Sequence, residues 1–203
     1  MKGIHIETPE RVLHYWFGRV EETIVPSETR ADLWFSENQE GDVEVRNLFG
    51  GEVEHALQHG LGSWEHSPRG LLGLILLLDP LSRRVYRGDS RAFAGDPYAL
   101  ELCKKALAAE EDRAFSLMER VFFYFPLLHS EALVDQTMAL EAYRRLMQLS
   151  LSETKLLYQS FFKFAEQHYS IVERFGRFPQ RNALLGREST PEEKLYLERV
   201  NKG

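Results

Sequence analysis

Cysteine is nearly absent: the chain of 203 residues carries one, Cys103, so no internal disulfide scaffold can form. Cys103 lies in a helical pattern between Leu102 and Lys104 and reads as a reduced, part-buried thiol. Long apolar runs are missing too. A membrane helix needs about 20 apolar residues. The longest aliphatic stretch, Leu71 to Leu78, is broken by Gly73 and reads as core. Met1 to Glu7 holds one lysine and no apolar run of signal-peptide length. Strict apolar–polar alternation bounded by turn residues is absent, which leaves little strand signal. The phosphate loops of Walker and Rossmann type are also missing, since no G-K-[ST] follows Gly50-Gly51. There is no G-x-S-x-G elbow, no H-E-x-x-H and no cysteine pair. A formal net charge of −6 argues against a broad nucleic-acid surface. These absences point to a soluble, cytoplasmic protein with no membrane or nucleic-acid partner, no cofactor and no metal.

What is present is a globular composition, 43% hydrophobic and 12% aromatic. A chain of this size buries roughly 70% of its unfolded surface, enough for a substantial core. Helix-start signals recur at Thr8-Pro9-Glu10, Ser67-Pro68, Asp96-Pro97 and Thr190-Pro191. Each sets a capping oxygen before a proline, whose missing N–H has no helical partner to lose. Ser116 and Glu119, like Thr190 and Glu193, have capping-box spacing. Asp42 precedes a further helical stretch ending near Gly60. Helical periodicity places Leu100, Cys103, Ala106 and Leu107 inward over 97–109. It does the same for Leu133, Met138, Ala142, Leu146 and Leu149 over 131–149. Ser152 to Phe175 reads as one long helix with Leu156, Phe161, Phe164, Ala165, Tyr169 and Val172 inward. About nine helices joined by short turns make antiparallel neighbours. With no linker and no fixed-period repeat, residues 1–203 read as a single all-helical domain.

Charge is uneven along the chain. Residues 1–66 carry 13 acidic and 5 basic residues, a net of −8; residues 67–203 carry 18 and 20, a net of +2. Trp16 and Trp34 lie in the acidic third and read as pins for N-terminal helices, against a partner-binding surface. The basic residues are 18 Arg against 7 Lys, and eight arginines fall in two short lysine-free segments. The first holds Arg83, Arg84, Arg87 and Arg91; the second holds Arg174, Arg177, Arg181 and Arg187, with Asn182. Aromatics, Gly and Pro interrupt both, so neither is a solvated helical stripe. A planar guanidinium suits bidentate capture of carboxylate or phosphate. Such arginines either tie loops to internal carboxylates, among them Asp79, Glu131 and Glu188, or form an anion-accepting pocket.

A third unusual stretch runs from Phe122 to Glu131 and on to Asp135-Gln136. Pro126 ends or kinks an aromatic helix. Ser130 is placed to cap the next helix, with Glu131 in its first turn and Asp135 on the same face. His129 offers a general base, with Glu131 and Asp135 as carboxylates to orient it. His129, Glu131, Asp135 and His168 have the right side chains for a metal but not the spacing of known motifs. The plain alternative is a helix cap with a buried histidine bonded to backbone.

The same residues resemble the bacterial "domain of unknown function 924" proteins over nearly the whole chain. The marks are Val12-Leu13-His14-Tyr15-Trp16-Phe17-Gly18, Leu76-Leu77-Leu78-Asp79, Tyr86-Arg87-Gly88, Arg91-Ala92-Phe93-Ala94 and Pro126-Leu127-Leu128-His129-Ser130-Glu131 with Asp135-Gln136. The last is the long run Arg174-Phe175-Gly176-Arg177-Phe178-Pro179 through Arg181-Asn182 to Glu193. The chain departs from the family pattern after Asp79, where Pro80-Leu81-Ser82-Arg83-Arg84 stands for Gln-Phe-Pro-Arg-Asn. It also carries Gln180 where His is common and His14 where Asp is common. The resemblance implies an all-α, tetratricopeptide-repeat-like array and no established activity.

The reading that follows is a right-handed array of antiparallel helix pairs that binds a small anionic ligand or partner group. Its pocket would draw on Arg83, Arg87, His129, Glu131, Asp135, Gln136, Arg177, Arg181, Asn182 and Arg187. One rival is a hydrolase or transferase acting on an anionic small molecule, with His129 as base and Glu131 and Asp135 in support. The other is an interaction scaffold that takes a protein partner on a concave helical face. Catalysis needs His129 in a cleft and close to a carboxylate. Anion binding needs three or more of Arg83, Arg87, Arg177, Arg181 and Arg187 on one cavity with unfilled donors.

Overall fold

The computed structural model of the chain describes residues 8–18, 28–35 and 39–200, so the Met1 to Glu7 segment lies outside it. There is no strand among the described residues, and the fold is all-α. The helices are α1 (Pro9–Phe17), α2 (Glu28–Phe35), α3 (Gln39–Leu57), α4 (Pro68–Leu76), α5 (Ser82–Val85) and α6 (Asp96–Ala108). They continue as α7 (Leu117–Phe123), α8 (Phe125–His129), α9 (Leu133–Leu149), α10 (Lys155–Phe175) and α11 (Pro191–Val200). Setting aside α5 and α8, of 4 and 5 residues, nine longer helices remain among the described residues.

The aliphatic run at Leu71 to Leu78 forms the axis of the core. Every residue from Gly70 to Ser82 is buried, as expected of a helix that is apolar on all sides. α1, α6 and α7 pack on α4, and α3 packs on α5 and the turn before it. That turn, Leu77–Leu81, is π-helical and contains Pro80. Proline has no N–H to return to the preceding turn, and its ring crowds the carbonyl behind it. The helix widens for one turn and then tightens into α5. Beyond the core, α9 and α10 pair through a short connection, and α8 packs on α6, α9 and α10.

Several local expectations are met in detail. Ser67 caps α4 by accepting from Gly70 N–H at 3.1 Å. Both capping boxes form, Ser116 with Glu119 and Thr190 with Glu193. Trp16 is buried against Phe122, and Trp34 donates its indole N–H to the Trp16 carbonyl at 2.9 Å. Cys103 is buried, and burial pushes its thiol well above its ordinary range.

Others are corrected. Thr8 makes no side-chain cap bond, and α6 is capped from Gly95, with Asp96 already inside it. α9 starts at Leu133 after Ala132; Ser130 instead accepts from Ala132 N–H and donates to Asp135. Asp42 lies inside α3, and Ser152–Thr154 is a separate 3-10 turn before α10. Leu156 is 80% exposed, Phe164 is partly exposed, and Leu133 and Leu149 are 44% and 53% exposed. The buried face of α9 is Asp135, Gln136, Ala139, Tyr143 and Leu146. Two polar residues sit on that inner face, and hydropathy reads such residues as outward.

Candidate functional site

Asp79 sits on the π turn, at the end of the apolar axis, with no exposed surface. A carboxylate there must be paired, because an unpaired buried charge is costly. Its partners come from two directions. Arg83, one helical turn on, donates through Nε to Asp79 Oδ1 at 2.9 Å. His129, at the end of α8, places Nδ1 at 2.7 and 2.8 Å from the two carboxylate oxygens. Arg83 also donates through Nη2 to both oxygens of Asp96, at 2.9 and 3.0 Å. Arg181 donates to Asp96 Oδ2 at 3.2 Å. The result is an alternating series, Asp79–Arg83–Asp96–Arg181. Both guanidiniums approach the Phe93 ring, Arg83 at 5.1 Å and Arg181 at 4.9 Å from its centre, within cation–π range.

Protonation follows from this packing. Burial opposes ionisation of Asp79, yet His129 and Arg83 hold its carboxyl well below the usual range. Burial lowers His129 to about 3, with Arg83 and Arg181 acting the same way and outweighing Asp79. The imidazole is therefore neutral at pH 7. An ionised carboxylate only accepts, so Nδ1 carries the proton and Nε2 is left as an acceptor. Burial, with the nearby Asp79 charge, raises Asp96 to about 6 against the pull of Arg83 and Arg181.

His129 lines a cleft of about 440 Å³ between α2, α5, α8 and α10. Trp34, Phe35, Phe125 and Phe164 supply aromatic walls, and Arg83, Arg84 and Arg87 supply a basic edge. Arg84 donates to Asp42 Oδ1 at 2.9 Å and to the Leu33 carbonyl at 2.7 Å, tying α5 to α2 and α3. Arg87 also pairs with Asp42. Burial works against the Asp42 charge, but hydrogen bonds from Arg87 and Arg84 hold its carboxyl below the usual range.

The residues singled out from sequence thus fall into three places. Arg83, Arg87 and His129 meet at the cleft, with Arg181 one carboxylate behind them, so two of the five arginines expected to converge line this cavity rather than three. Glu131 is not against His129. It receives a bidentate pair from Arg187 at 2.6 and 2.9 Å and the Phe178 N–H at 2.8 Å. Arg187 also donates to Asn182 Oδ1 and the Phe178 carbonyl. Arg177 pairs with both oxygens of Glu193 at 2.7 and 2.9 Å and donates to the Glu188 carbonyl. Glu131, Arg177, Asn182 and Arg187 therefore fasten the segment between α10 and α11. Asp135 accepts from Lys104 and Ser130. Gln136 donates to the carbonyls of Leu127, Leu128 and Ser130, which fixes the chain on both sides of His129. Among the described residues no three His, Cys, Asp or Glu side chains gather as a metal site. No helix there is long and apolar enough to cross a membrane.

Three acids at or behind the cleft, Asp42, Asp79 and Asp96, were missed as site residues. Asp79 had a legible signal: it is the acid that ends an apolar run, four residues before an arginine. Asp42 and Asp96 reach their arginines only through the tertiary fold.

A family model, bacterial protein of unknown function (DUF924), matches residues 12–201. No functionally curated protein matches the chain. Among solved structures, a protein of unknown function from Agrobacterium tumefaciens, ATU0120, is similar at 32% identity with a TM-score of 0.76. That match covers 94% of this chain and 97% of the other. On the extent of the model match and of this likeness, the chain belongs to the DUF924 family of bacterial proteins.

Proposed function

We propose that this protein binds a small organic anion with a flat or apolar body in the cleft bounded by α2, α8 and α10. The observation that carries the reading is His129, held by buried Asp79 beside Arg83 and Arg87, under an aromatic wall. The cleft volume of about 440 Å³ lies in the range of small-molecule sites. Arg83, Arg84 and Arg87 form the basic edge of the cleft, held in place by Asp79, Asp96 and Asp42. Trp34, Phe35 and Phe164 offer ring faces to the body of the ligand. A second reading, chemistry on the bound anion with His129 as general base, is favoured by the 2.7 Å contact between His129 and Asp79.

Thermal-shift titration with phenyl phosphate and benzoate, against chloride at equal ionic strength, tests the first reading. Wild type is expected to be stabilised by at least one of them. Arg87→Gln should weaken that binding several-fold, and Arg177→Gln, in the far latch, should leave it unchanged. No stabilisation of wild type, or equal binding by wild type and Arg87→Gln, would sink the proposal.

A further inference from the structure

The hydrogen-bonding state of His129 says more about the ligand than its charge does. Nδ1 is committed to Asp79, and no hydrogen bond to Nε2 exists among the described residues. The groups that face the ring do not supply one. Arg83 has given Nε and Nη2 to Asp79 and Asp96. Arg181 is turned to Asp96, between the Phe93 and Phe178 rings. His168, with its ring centre 6.1 Å away, has Nδ1 on the Phe164 carbonyl. Phe125 presents only a ring edge-on. The His129 side chain keeps 14% of its surface exposed, and it faces the cleft. The basic edge therefore contains one acceptor set among donors.

A plain carboxylate uses the donors and leaves that acceptor unmatched. An anion that also carries an O–H next to its charge satisfies both. We propose that the cleft selects anions bearing a hydroxyl or protonated oxygen beside the charged group, such as 2-hydroxycarboxylates or singly ionised phosphate monoesters, with His129 Nε2 accepting that hydrogen. This rests on the cleft being the anion site and names the ligand class it takes. Unmatched buried polar groups are the usual source of strong discrimination between near-identical ligands.

The test compares two ligands that differ by one hydroxyl, mandelate and phenylacetate, at pH 7. Both enantiomers of mandelate are titrated by calorimetry against wild type and His129→Asn. Asparagine keeps an N–H for Asp79 and removes the acceptor in the cleft. One enantiomer of mandelate should bind wild type about three- to tenfold more tightly than phenylacetate, the worth of one neutral hydrogen bond. In His129→Asn the ratio of mandelate to phenylacetate affinity should fall to about one. Nitrogen-15 spectra of histidine-labelled wild type should show His129 as the neutral Nδ1–H tautomer at pH 7, which decides the matter even if the variant does not fold. Equal binding of the two ligands to wild type, or a proton on Nε2 of the free protein, overturns this inference and leaves the anion site standing. Binding of neither ligand overturns both.

Discussion

Asp79 shows how one residue can organise a region. It is fully buried, and its partners Arg83 and His129 would each lose an anchor without it. Asp79→Asn keeps the shape but removes the charge that balances Arg83 in the interior. Breaking a buried pair in this way costs about 3–5 kcal/mol, because the remaining charge is uncompensated. For a chain of this length about 2–4 °C of Tm accompanies each kcal/mol. A Tm drop of roughly 6–20 °C in a calorimetric melt is expected, and a drop below 3 °C would refute the role assigned to Asp79. Its acid–arginine spacing, residues 79 and 83, was visible in the sequence. Its histidine was not, because 50 residues separate the two and only packing of α8 on α6, α9 and the π turn closes the gap.

At the scale of elements, the junction of the π turn with α6 places Asp96. Gly95 precedes that helix, and a Cβ there would lie 2.2 Å from the backbone carbonyl oxygen of Leu78. Neither backbone can give way cheaply, so Gly95→Ala must push the start of α6 off the core axis. Overpacking of this kind costs about 1–3 kcal/mol. It also moves Asp96 from Arg83 and Arg181. The expected result is a lower Tm together with weaker anion binding in the cleft, read by thermal melts with and without phenyl phosphate. Unchanged Tm would count against the close approach. Helix ends were legible where the cap is a local device, as in Ser116-Glu119 and Thr190-Glu193. Helix faces were less so. α9 buries Gln136 to hold the carbonyls around His129 and Asp135 to hold Lys104, and no hydropathy pattern reports such duties.

Across the whole molecule, the acidic first third meets the arginine-rich remainder. Asp42 takes Arg84 and Arg87. Carboxylates held below their usual range include Asp42, Glu131 and Glu193, the last at about 2 through Arg177. Their unfolded forms take up protons first, so the stability they contribute is complete above about pH 4.5 and is lost as pH falls toward 2. His129, lowered to about 3, acts the same way below its unfolded value near 6.5. Asp96, raised to about 6, acts oppositely between about 6 and 4. These two largely offset each other above pH 4.5. Tm measured by circular dichroism should change little from pH 7 to 5 and fall steeply below about 4.5. A Tm that rises on acidification to pH 3.5 would contradict this set of pairings.

The sequence by itself determined the all-helical class, the apolar axis at Leu71 to Leu78, the capping boxes and the family. These follow from local geometry and from residue patterns that neighbours along the chain already express. Only the tertiary structure decided how the arginines divide. Arg83 and Arg87 stand at an aromatic cleft, whereas Arg177 and Arg187 latch the segment between α10 and α11. The physical reason is that a guanidinium is equally suited to a ligand and to an internal carboxylate. Which one it serves depends on the acids that folding brings within about 3 Å of it, and those lie up to 85 residues away, as with Arg181 and Asp96.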